Sequence, residues 1–98
     1  MAELQQNPTF DPGLRWRLHP RVAVRPETFG ALLYHFGTRK LSFLKNQTIV
    51  EVVNSLPDHP DARSACLAAG IEEAAQAPYL HALGVLARSA MLVHEETP

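Results

Sequence analysis

Between Arg21 and Asn46 the apolar positions fall into three short runs separated by turn residues. Val22, Ala23 and Val24 sit between Arg21 and Arg25, a compact strand pattern. Pro26, Glu27 and Thr28 then interrupt it as a turn. Phe29 to Phe36 is apolar on both faces except at His35, which predicts the central strand of a small sheet, filled on both sides by the fold. Gly37-Thr38-Arg39-Lys40 predicts a hairpin turn, with Gly37 available for positive φ. Leu41 and Phe43 alternate with Ser42 as a third strand. Strand, turn, strand, turn, strand predicts an antiparallel meander.

On either side the pattern changes. Residues 1–13 carry Gln5, Gln6, Asn7, Pro8, Pro12 and Gly13, a loose arm tacked down by Phe10. Leu14, Trp16 and Leu18 alternate with Arg15 and Arg17, fitting a short strand or an extended segment laid over the core. After Asn46, Ile49, Val50, Val52, Val53 and Leu56 recur at helical spacing. Asn46 or Thr48 can cap this helix, Thr48 with Glu51 fits a capping box, and Pro57 ends it. A second helix is expected from His59-Pro60 to Gly70, with Ala62, Ala65, Cys66 and Ala69 as a small-residue face. Glu72 to Ala77 reads as a linker or an extra turn. Pro78 opens a last helix expected to run to about Val93. Its polar positions His81, Arg88 and Glu95 form one narrow stripe. That leaves two readings: a central helix surrounded by its own fold, or a helix with one flank lining a groove.

Three strands and three helices predict an α+β, winged-helix-like domain over residues 14–93, with residues 94–98 as a tail. A chain of 98 residues supports one modest core. The total charge is near neutral, but seven basic residues face three acidic ones before Asn46, and two face seven from there on. Two solvated faces would explain this, as would a basic sheet half that favours an acidic partner. The polar N-terminus lacks a signal-peptide pattern and no apolar stretch is long enough to span a bilayer, so the chain is read as cytoplasmic and without a membrane partner.

Candidate chemistry is sparse. Cys66, the single cysteine, lies among Ala and Leu and reads as a small buried thiol rather than a nucleophile. His19, His35, His59, His81 and His94 form no metal-ligand spacing, so no metal is expected. Ser42, Ser55, Ser64 and Ser89 lie in strand or helix patterns, not in a nucleophile turn. No phosphate-binding glycine loop is present, and no cofactor is expected. Winged helices often bind DNA, but the second helix offers Arg63 beside Asp58 and Asp61, and the last helix only Arg88. A nucleic-acid binder is the alternative reading, and a homodimerisation module a third.

The residues fit peptide binding better. An edge strand gives main-chain hydrogen bonds at regular spacing, and an adjoining apolar helix gives pockets for side chains. The third strand and the last helix have room for this, with Arg39, Lys40 and Lys45 as the nearest charges for an acidic peptide.

The run VRPETFGALLYHFGTRKLSFLKN resembles the opening of the PqqD-like domains, also called RiPP recognition elements, which carry a comparable RPE-x-FGALxY … L-x-x-L-N run. The likeness is greatest to the mycofactocin-biosynthesis branch and continues through QTIVEVVNSLPDHPDARSAC and AAQAPYLHALGVLARSAMLV. The resemblance implies a non-catalytic adaptor that binds the leader of a ribosomally made precursor by strand addition and presents it to a radical SAM maturase. It implies contacts from Leu41, Ser42, Phe43, Leu44 and Lys45, next to the steering charges of Arg39 and Lys40. On the last helix it implies Tyr79, Leu80, Leu83, Leu86, Ala87 and Met91. The Ala-rich Glu72–Ala77 stretch departs from the family pattern next to that helix.

Overall fold

The computed structural model describes residues 10–94. The expected arm before Phe10 and the stripe position Glu95 lie outside them. In chain order the elements are β1 (Trp16–Leu18), β2 (Val22–Pro26), β3 (Ala31–His35), β4 (Leu41–Leu44), α1 (Gln47–Ser55), α2 (Ala62–Ala68), α3 (Ala77–Arg88) and β5 (Leu92–His94). Single 3₁₀ turns at Leu56–Asp58 and Glu73–Ala75 precede α2 and α3. The fold is α+β: an antiparallel meander β2-β3-β4 followed by three helices.

The meander is held in register by Val24 opposite Leu33 and Leu33 opposite Ser42. Its first turn is tight, since Glu27 and Gly30 exchange two hydrogen bonds of 3.0 and 3.1 Å. Gly30 is required there, because a Cβ would collide with the Leu44 carbonyl. At the second turn the positive φ falls on Arg39 (66°), not on Gly37. Gly37 is needed for a different reason: a Cβ there would come within 2.8 Å of the His35 ring. His35 is buried, and its Nδ1 accepts hydrogen bonds from the N–H groups of Gly37 and Thr38 at 3.0 and 3.1 Å.

Among the described residues, only one face of this sheet is covered. Ala31, Leu33, His35 and Leu44 are buried beneath the helices, while Leu32 and Tyr34 on the opposite face are half-buried. The expectation that the central strand is filled on both faces is therefore corrected. The strand is also shorter than expected, with Phe29 and Phe36 exposed beyond its ends.

Asn46 caps α1, its Oδ1 accepting from Ile49 N–H at 2.9 Å, so the Thr48–Glu51 box is not formed. The helix turns Ile49, Val52 and Val53 inward. Asp61 caps α2 through Ser64 N–H at 2.8 Å, placing the start of α2 after Pro60 rather than at it. Pro12 lends its carbonyl to Ala62 N–H at 3.0 Å, and Phe10 stacks on Trp16 at 4.9 Å.

Two helix ends share one device. At the end of α2, Ile71 N–H reaches Cys66 O and Gly70 N–H reaches Leu67 O, a Schellman cap with Gly70 at φ 87°. At the end of α3, Met91 N–H reaches Leu86 O and Ala90 N–H reaches Ala87 O, with Ala90 at φ 63°. This second cap stops α3 at Arg88, short of the expected Val93. The chain then turns into β5, which pairs antiparallel with β1, Leu18 opposite Leu92. Met91 and Leu92 are thus core residues of a two-stranded sheet junction, not the last turn of a helix.

Candidate functional site

Antiparallel ladders alternate between residue pairs that exchange hydrogen bonds and pairs that do not. His35 N–H donates to the Lys40 carbonyl at 3.0 Å, which sets the phase between β3 and β4. Ser42 and Leu44 then bond inward to β3, and the N–H and C=O groups of Leu41 and Phe43 point away from the sheet. Among the described residues β4 is an edge strand, with β3 as its one sheet neighbour.

A groove of about 640 Å³ runs along this edge. One wall is Ser42, Phe43, Leu44 and Lys45, continuing into Asn46 and Ile49 at the start of α1. The facing wall is α3, through Pro78, Tyr79, His81, Ala82, Val85 and Leu86. Val85 is 42% exposed and Phe43 60%, so both have surface left to give to a ligand. Among the described residues no carboxylate lines the groove, and Lys45 is its one permanent charge. An apolar, carboxylate-free channel beside open backbone groups suits an extended chain with apolar side chains and some acidic character. A smaller depression of about 460 Å³ between Thr48 and Tyr79 has no strand edge beside it.

The structure brings together Ser42, Phe43, Leu44, Lys45, Tyr79 and Leu86 from the residues singled out in the sequence. Arg39, Lys40 and Leu41 lie beside the groove on the hairpin and the start of β4, all exposed. Leu80 and Ala87 are half-buried against the core, and Leu83 and Met91 are fully buried in it, away from the lining. Asn46, Ile49, Pro78, His81, Ala82 and Val85 line the groove without having been foreseen. Their signal was present: Pro78, Ala82 and Val85 follow three-and-four spacing, with His81 one turn before Val85. His81, on the narrow polar stripe of the last helix, lines the groove.

The remaining chemistry is structural. Cys66 is fully buried and burial pushes its thiol up, away from thiolate reactivity. Among the described residues no three His, Cys, Asp or Glu side chains converge on a metal position, and no helix is long and apolar enough to cross a membrane. Hydrogen bonds from Ser64 hold the Asp61 carboxyl below its usual range, so a negative charge stands at the N-terminus of α2. That arrangement disfavours a phosphate backbone there.

Comparison with known proteins decides the family. The model of the peptide chaperone MftB family matches residues 15–93. The chain belongs to this family. The peptide chaperone MftB of Mycolicibacterium smegmatis is 72% identical over 92 residues, covering 94% of this chain and 90% of that protein. Its counterpart in Mycobacterium tuberculosis is 69% identical over 88 residues, covering 90% of this chain and 81% of that protein. The protein of the same name in Mycobacterium ulcerans is 72% identical over 87 residues, covering 89% of this chain and 80% of its own length. These relatives are named as chaperones of peptides, not as enzymes. No solved structure matches the chain.

Proposed function

We propose that this chain is a non-catalytic peptide chaperone. It binds the leader of a ribosomally made precursor, the mycofactocin precursor, as an added strand on β4, and presents it to a radical SAM maturase. The observation that carries this reading is the β4 edge: the outward backbone groups of Leu41 and Phe43 stand on the lip of a carboxylate-free apolar groove. Main-chain bonds to those two residues fix the guest in register, and each net bond contributes about 0.5–1.5 kcal/mol. Alternate guest side chains then enter the groove against Ala82, Val85 and Ile49, which supplies specificity. Lys45 at one end favours an acidic guest. The names of the relatives, peptide chaperones, support the peptide as ligand.

Calorimetric titration with the leader segment tests the reading. The expected result is saturable heat at micromolar concentration or below, with backbone chemical-shift changes centred on Leu41–Lys45. Absence of heat, or shifts centred elsewhere, would count against strand addition at β4.

A further inference from the structure

The sheet has a second exposed surface, which shares only Phe43 with the groove lining. On the face turned away from the helices, Leu32, Tyr34, Leu41 and Phe43 follow one another across β3 and β4. Phe29 extends this row at one end, its ring 6.1 Å from Phe43, and Phe36 extends it at the other, its ring 4.9 Å from Tyr34. Phe29, Phe36, Leu41 and Phe43 are 47–60% exposed, a contiguous apolar and aromatic face with no layer above it among the described residues. Scattered exposed apolar residues are ordinary, but a joined patch of this kind marks an interaction surface.

Its border is basic. Arg21, Arg25, Arg39, Lys40 and Lys45 are all exposed, and Glu27, bonded to Arg25 at 3.1 Å, is the one carboxylate between residues 21 and 45. A second copy laid face to face would bring cation against cation around its rim. We propose that this face docks a partner protein whose contact surface has an apolar centre and a carboxylate border. Resting on the function proposed above, we assign that surface to the enzyme that modifies the bound peptide. A strand added to β4 turns every second side chain toward this same face. The partner would therefore meet the chaperone and its cargo as one continuous surface.

The test separates cargo from partner. Phe29→Ser with Phe36→Ser removes the two exposed ends of the patch and touches neither the β4 backbone nor the groove. The intact wild-type chain and this double variant are titrated with the leader peptide and, separately, with the purified radical SAM maturase. Leader affinity is expected to stay within about twofold, and maturase affinity to fall by at least about tenfold, the usual effect of losing aromatic anchors. Lys40→Glu should slow association with the maturase, most at low salt. Unchanged maturase affinity in the double variant would overturn the proposal, as would a wild-type chain that does not bind the maturase. A wild-type dimer in light scattering that becomes monomeric in the double variant would overturn it too, by making a second copy the occupant. Failure of the leader arm in the wild type would instead count against strand addition, leaving the maturase arm to report on this face.

Discussion

β2 and β4 flank the same central strand, yet they differ in what they leave open. On β2 the ladder phase turns Val22, Val24 and Pro26 outward. Val22 N–H is already taken by the His19 carbonyl at 2.9 Å, and Pro26 has no N–H to give. One outward amide remains, Val24, between Arg21 and the Arg25–Glu27 pair. These are the usual protections of an edge strand. On β4 the amides of both Leu41 and Phe43 face outward, and a groove walled by α3 lies alongside. The difference teaches that an open edge alone does not make a site. What distinguishes β4 is the helix that walls a groove alongside it.

The change expected to have the largest effect attacks the joint between β3 and β4. Gly30→Ala places a methyl group against the Leu44 carbonyl and should destabilise the domain by about 2–3 kcal/mol, lowering the melting temperature by roughly 10 °C or more. Thermal unfolding followed by circular dichroism reads this directly. Next, Val85→Glu puts a charge on the helical wall of the groove. It should weaken leader binding by about 30-fold, or ~2 kcal/mol, while the domain stays folded, because Val85 is 42% exposed. The matching change on the other edge, Ala23→Glu, should leave leader affinity within about twofold. Equal losses in the two variants, measured by calorimetry, would erase the distinction between the edges.

Much of this was legible in the sequence. The meander follows from alternation and turn residues, and Gly70 announces the end of α2. The end of α3 was not legible because its Schellman cap uses Ala90 where glycine is normal, so nothing punctuates the apolar run. The strand β5 was hidden for the same reason. Around α3 the apolar residues form no single arc. Periodicity therefore could not tell buried Leu83 from groove-lining Val85, and only the placement of β4 separates them. The one-sided sheet was equally hidden, since Leu32 and Tyr34 read as core until no layer is found to cover them.

The cap gives the next prediction. Ala90→Gly removes the left-handed strain and should stabilise the fold by about 1 kcal/mol without changing leader affinity, since Ala90 lies outside the groove lining. Chemical denaturation paired with calorimetry separates the two readouts. The smallest effect expected is a pH dependence at the hairpin that leads into β4. His19 stacks on His35 at 4.4 Å; burial first, then His35, Arg21 and Arg17, lower its pKa below 6.5. The folded state thus disfavours the proton, so this contribution is complete above 6.5 and is lost as pH falls through that value toward the folded pKa. Melting temperature measured across mildly acidic pH should decline in the wild type and decline less in His19→Gln.

The most direct measurement is residue-resolved amide hydrogen exchange with and without the leader peptide. Strand addition on β4 predicts new protection at the Leu41 and Phe43 amides and none at Val24. Protection confined to Val24, or no gain at Leu41 and Phe43 while the peptide is bound, would contradict the account.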